Sequence, residues 1–321
     1  IMSSDWSSDV CSSDLQRGLL AGVALPLSLL LIFVIVFALV RTGSDFVVGS
    51  SMEFSRTVKM STVLATGFLT GLIIAGMVLI TLVQLPLSPK LSYSRYDLAG
   101  SIRPDDPQKL LVNADGFTAG LFSWMSQGAL SSGKSFGVLH ANYVNQLHLN
   151  RFDGVYPVAS PEAVIVPRRI GVRTREVDGR MLTVVRMGIK DREIKDGGAK
   201  DPDRKLSFAP AQVRLICQEK AQLEPLRGSG TPIYPAGFVT GDTLEEKPLG
   251  EVIVVASDAI QTKGTGGRAA WYDVAFDVPT SMTPVLLEFK LNTAVELSKP
   301  VPSTEELERQ LEEGETSSEG E

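Results

Sequence analysis

The chain has 321 residues, a formal net charge of −6 and 44% hydrophobic residues. An acidic balance without a dominant basic patch argues against nucleic acid as a partner. Only two histidines, His140 and His148, are present, which argues against imidazole-based metal or acid–base chemistry.

Residues 5–15 read Asp-Trp-Ser-Ser-Asp-Val-Cys-Ser-Ser-Asp-Leu, the peptide encoded by a common sequencing-library adapter. Segment 1–15 is therefore treated as an artefact and kept out of fold reasoning. The true N-terminus is then expected to be missing, with room for further helices ahead of residue 19. Discounting Cys11 leaves Cys217 alone, so no internal disulfide is expected. Cys217 ends the strand-like run Val213-Arg-Leu-Ile-Cys, with no histidine nearby in sequence to activate it. It reads as a buried structural thiol, not a nucleophile.

Segment 18–89 reads as an apolar helical hairpin. Residues 19–40 carry no charge, and their one polar side chain is Ser28. About 20 apolar residues cross the hydrocarbon core of a bilayer, so this run and the charge-free run 60–87 are predicted to be two transmembrane helices. Pro26 would kink the first, Arg41 ends its apolar run, and Pro86 and Pro89 stop the second. Gly67, Gly71 and Ala75 recur every four residues on the second helix and form a small-residue stripe suited to close packing. The expected partners are the lipid bilayer and other helices, either missing N-terminal ones or a second copy. Basic residues nearly balance on the two sides of the hairpin, so charge counting does not fix its orientation.

Residues 90–152 are predicted to be a connector followed by amphipathic helices. Asp115 is placed at the cap of the first, with Phe117, Leu121, Phe122 and Met125 facing inward. After a break at 131–134, a second helix is predicted from Phe136, with Leu139, Tyr143, Leu147 and Phe152 along one side. Such helices suit either the membrane surface or the underside of the next domain. Gly128-Ala-Leu-Ser-Ser-Gly-Lys-Ser135 satisfies the phosphate-loop pattern. A real phosphate loop follows a strand, whereas a helix is predicted ahead of Gly128, so the match is read as a helix–helix turn. His140 and His148 fall two turns apart on the predicted helix, without the acidic or thiol ligands of a zinc site. No catalytic, cofactor or metal residues are expected.

Residues 153–298 change to short strands and turns. Asp178-Gly179 between residues 173–177 and 180–189 is a strong hairpin signal. Further strands are predicted at 206–216, with Pro210 at an edge or bulge, and at 251–256, 270–278 and 285–292. The set favours an all-β, sandwich-like soluble domain over a parallel α/β sheet. Residues 299–321 are rich in Glu, Gly, Ser and Thr and are predicted to be a disordered acidic tail.

The run Leu29-Leu-Leu-Ile-Phe-Val-Ile-Val-Phe-Ala-Leu-Val40, the short polar link, and Gly67-Phe-Leu-Thr-Gly71-Leu-Ile-Ile-Ala-Gly76-Met-Val with Leu85-Pro-Leu87 resemble the C-terminal half of the colicin V production (CvpA-type) membrane family. The resemblance covers residues 19–90. It implies a bundle of about four helices, two of them absent ahead of residue 19, and a role associated with colicin V production or secretion. It carries over no catalytic residues. The link departs from the family in having Lys59-Met-Ser-Thr where an Asp-Arg-like pair often stands. Some relatives carry a trypsin-like protease, but Gly264-Thr-Gly-Gly267 lacks the serine that would need.

The expectation is a non-enzymatic bacterial inner-membrane protein with an assembly or secretion-associated role, whose β domain lies outside the cytoplasm and binds a protein partner or stiffens the assembly. Two alternatives are a nucleotide-binding enzyme built on residues 128–135 and a membrane-anchored sensor module unrelated to that family. A strand ahead of Gly128 would favour the enzyme, and a helix would count against it.

Overall fold

The computed structural model describes residues 21–302 except 48–54, 86–92, 98–101, 109, 111, 129–130, 132, 153–154, 156, 169, 196–205, 223, 256–258 and 264–266. The adapter-like segment 1–15, Pro86, Pro89 and tail residues 303–321 lie outside the described residues. The chain forms two compact units. One holds the described residues up to Tyr93 together with those of 109–121; the other holds Ser94–Gln108 and the described residues from Phe122 onward.

The first unit is built on two long apolar helices that pack on each other, α1 (Ala21–Val47) and α2 (Arg56–Gln84). Each is long and apolar enough to cross a membrane. Both overrun the apolar sequences that define them. α1 continues past Arg41, where Ser44 Oγ donates to the Val40 carbonyl at 2.6 Å and Arg41 faces Asp45 one turn on. α2 starts at Arg56, four residues before the apolar run, and ends at Gln84 instead of the predicted 87. The early stop has a local cause. Leu85 is extended (φ −65, ψ 146), as the residue before a proline prefers.

A third helix, α3 (Ala114–Gln127), begins in this unit. Its first turns seat Ala114 and Thr118 against Gly76 of α2, where any Cβ on Gly76 would collide with the Thr118 hydroxyl and the Ala114 carbonyl. Only small side chains allow that approach. The buried positions of α3 are therefore Ala114, Asp115, Thr118 and Ala119. Two expectations are corrected here. Phe117 and Phe122 are exposed, not inward-facing. Asp115 lies inside the first turn, because the Phe117 amide bonds the Asn113 carbonyl at 2.9 Å and so places Asn113 at the cap.

In the second unit the predicted helix from Phe136 is broken into α4 (Phe136–Leu139) and α5 (Tyr143–Leu149). The break is Asn142, whose φ of 50° is left-handed, a conformation asparagine tolerates better than most residues.

The remainder is β-rich and almost wholly antiparallel. One sheet runs β14-β2-β3-β11-β7-β8, with β14 being Val301–Pro302, β1 (Val164–Ile165) also on β3 and β10 (Ile260–Lys263) on β11. Its main strands are β2 (Val172–Val177), β3 (Arg180–Lys190), β7 (Pro235–Thr240), β8 (Thr243–Glu245) and β11 (Gly267–Phe276). A second sheet runs β13-β12-β5-β6, from β13 (Thr293–Glu296), β12 (Met282–Phe289), β5 (Val213–Glu219) and β6 (Thr231–Ile233). β4 (Leu206–Phe208) and β9 (Ile253–Val255) form a separate ribbon. Both sheets and the ribbon contribute to one core, including Val185, Met187, Phe208, Leu215, Val274 and Phe289.

The β2–β3 hairpin turns on Asp178 (φ 49°) and Gly179 (φ 74°), the double positive φ that a two-residue turn of right-handed twist demands. The predicted strand 206–216 is instead divided. Pro210 opens a single turn of 3₁₀ helix, Pro210–Gln212, between β4 and β5, because proline supplies no ladder N–H. Order also reaches past residue 299, where the acidic tail was expected to begin. Val301 and Pro302 form β14 and pair in parallel with Arg173 and Thr174.

Candidate functional site

A charge inside an apolar strand must be paired to be buried. Val213-Arg-Leu-Ile-Cys and Leu286-Leu-Glu-Phe each carry one. Register sets Arg214 of β5 directly opposite Glu288 of β12. Their side chains are 1% and 3% exposed. Arg214 Nε donates to Glu288 Oε2 at 2.9 Å, and Nη2 donates to the same oxygen. The remaining arm, Nη1, donates to the Ala141 carbonyl at 2.8 Å. The guanidinium thus fastens the α4–α5 segment to the second sheet, at the residue before the left-handed Asn142.

Other polar groups complete the cluster. Gln146 of α5 donates to Glu288 Oε2 at 3.5 Å. The Tyr234 phenol lies close enough to feel both charges, and burial pushes its pKa up. Burial also drives the Glu288 carboxyl upward against the pull of Arg214. Arg95 Nε donates to Asn145 Oδ1 at 2.6 Å. Gln212 Nε2 donates to the Asn150 carbonyl at 3.0 Å, and Gln212 Oε1 accepts from the Ala209 amide at 3.1 Å.

His140 sits at the edge of this cluster, in an aromatic group with Phe136 and Tyr143 at centroid distances of 5.0 and 5.2 Å. Burial, and then the Arg214 charge, lower its pKa to about 4, so the ring is neutral at ordinary pH. His148 lies on α5. The break at Asn142 puts the two histidines on different elements, which corrects the expectation of one shared helix. Among the described residues no group of three or more His, Cys, Asp and Glu side chains is arranged to hold a metal ion.

Helix α3, not a strand, leads into Gly128. Lys134, the lysine of the phosphate-loop match, is ion-paired with Glu296 of β13. Among the described residues, the strand that precedes a phosphate loop is therefore replaced by a helix. Cys217 is buried on β5 and its thiol is pushed up to about 12 by burial, which makes it inert at neutral pH.

Gly67, Gly71 and Ala75 are exposed along α2, and a Cβ on either glycine would meet nothing within 4 Å. On α2 the close-packed glycine is Gly76, one residue beyond the stripe. The Arg214–Glu288 pair and its satellites were not picked out from the sequence. The available signal was a lone charge in each of two apolar strands.

Family models, curated proteins and solved structures all return no match for this chain. The site's charges are spent on one another and on backbone carbonyls. Its histidine, His140, is held neutral. Such an arrangement fixes the position of a segment and is poorly suited to moving protons or attacking a substrate.

Proposed function

We propose that the chain is a non-enzymatic integral membrane protein in which α1 and α2 cross the bilayer and carry a β module that binds a protein partner. The observation that carries this reading is the exposed apolar run of each helix, free of charge as far as Arg41 in α1 and from Met60 onward in α2. Leu31, Ile32, Val36 and Leu39 of α1, and Met60, Val63, Leu64 and Phe68 of α2, are all exposed, and each run lacks charge. Water would not tolerate a patch of that extent on a monomer. Lipid would, and the backbone needs of both segments are met internally as helices.

The resemblance of residues 19–90 to the CvpA-type family supports a bacterial inner-membrane location and an assembly or secretion-associated role. The exposed Gly67, Gly71 and Ala75 stripe supports a helix partner, either N-terminal helices or a second copy. Two antiparallel sheets contributing to one core support a sandwich-like arrangement of the β module. A lipid-anchored β domain with buried, mutually neutralised charges supports binding over catalysis.

The β module is assigned to the extracytoplasmic side, with the link between α1 and α2 in the cytoplasm. The test is labelling of E246C, at an exposed position of the loop after β8, with a membrane-impermeant maleimide in intact spheroplasts. Labelling before lysis is expected. Labelling only after lysis would overturn the orientation.

A further inference from the structure

We propose that α3 is a lipid-embedded interfacial helix, so that the membrane contact of this protein includes a third element besides the hairpin. The inference rests on the membrane reading of α1 and α2 and extends it to α3.

The sequence of α3 is unusual for a helix on a water-soluble surface. From Gly116 to Gly133 there is no charged residue. Surface helices ordinarily place charges on the face away from their core. The one charged side chain of α3, Asp115, is buried, accepting from the Tyr93 hydroxyl and from the Gly116 amide at 2.9 Å. Phe117 and Trp124 are exposed and Leu121 half-buried, spaced i, i+7 and i+4 along one side of the helix. Trp124 is 71% exposed and Phe117 38%. Tryptophan with one apolar flank and one N–H favours the boundary between hydrocarbon and water.

The level at which α3 meets α2 agrees. The buried residues of α2 begin at Gly76, the residue on which Ala114 and Thr118 are seated. From Lys59 to Gly76 the helix rises about 26 Å at ~1.5 Å per residue. On α1, Arg41 to the buried Pro26 gives about 22 Å by the same rise. Both lengths approach the ~30 Å of a hydrocarbon core bounded at one end by the basic residues. The start of α3 then marks the opposite boundary, and its charge-free aromatic face lies where headgroups give way to acyl chains. Lipid is favoured over a protein occupant because the first turns of α3 pack on a bilayer-spanning helix at Gly76 and the stretch that follows them carries no charge for a polar partner to meet.

The full chain is reconstituted in phosphatidylcholine–phosphatidylglycerol vesicles whose lipids are brominated either near the headgroup end of the acyl chain or near its terminal methyl. The Trp124 signal is the emission present in the parent protein and absent in W124F. A depth control is L64W in the W124F background, reporting from the middle of α2. Trp124 is expected to be quenched at least about twofold more by shallow bromines than by deep ones, as befits an interfacial tryptophan. The tryptophan of L64W is expected to show the reverse order. Quenching in L64W with none at Trp124 would overturn the interfacial helix and leave the membrane hairpin standing. Absence of quenching at both would overturn the hairpin reading and the inference with it.

Discussion

Arg214 and Glu288 face each other across the β5–β12 pair, buried together, and the arm of Arg214 not used by Glu288 holds the Ala141 carbonyl. One ion pair therefore joins two strands and pins the kinked α4–α5 segment. Breaking a buried pair by removing one partner leaves an uncompensated charge and costs about 3–5 kcal/mol, whereas replacing both by apolar groups is often neutral. R214M and E288L alone are expected to lose that much stability in urea titrations, and the double variant R214M/E288L to recover most of it. Amide exchange across Tyr143–Leu149 should rise in both R214M and the double variant, because each lacks the donor to Ala141.

The neutral His140 predicts a pH dependence. Its pKa falls from 6.5 to about 4 on folding, so the unfolded chain takes up the proton first as pH drops. Stability is then complete above about pH 6.5 and declines toward pH 4, by at most about 3 kcal/mol. H140F, which keeps a ring beside Phe136 and Tyr143, is expected to flatten that part of the stability–pH curve. An unchanged slope would show that another group sets it.

Gly76 and Gly71 lie on one helix yet should respond differently. G76V puts a branched side chain where Thr118 and the Ala114 carbonyl already sit, with an expected cost of about 2 kcal/mol in the chain's own stability. G71V meets open space and is expected to leave that stability unchanged. If the stripe serves a second copy, G71V should weaken self-association in micelles about tenfold, as measured by energy transfer between labelled chains.

The β2–β3 turn offers a local check. G179A must adopt a left-handed φ that glycine accepts freely, at a cost of about 1–2 kcal/mol. G179N should cost less, since asparagine visits that region more readily.

Much of the architecture was legible in the sequence because the signals were local. Two charge-free runs gave the long helices, and Asp178-Gly179 gave the hairpin between β2 and β3. What was missed depended on contacts distant in sequence. The inward face of α3 was assigned to Phe117 and Phe122 by periodicity, but Ala114 and Thr118 take the close approach at Gly76. The kink at Asn142 has no strong sequence mark, since a favourable helical pattern runs through it. The Arg214–Glu288 pair could be suspected from each strand, but its partnership is a matter of register between segments more than seventy residues apart. β14 was hidden because two residues carry too little pattern to announce a strand.

The most direct test of the membrane hairpin is alkaline carbonate extraction of membranes from cells producing the full chain. A chain whose two helices cross the bilayer stays with the lipid pellet, as no wash that strips peripheral proteins removes helices of this length. Release of the chain into the supernatant would contradict the membrane-spanning assignment of α1 and α2.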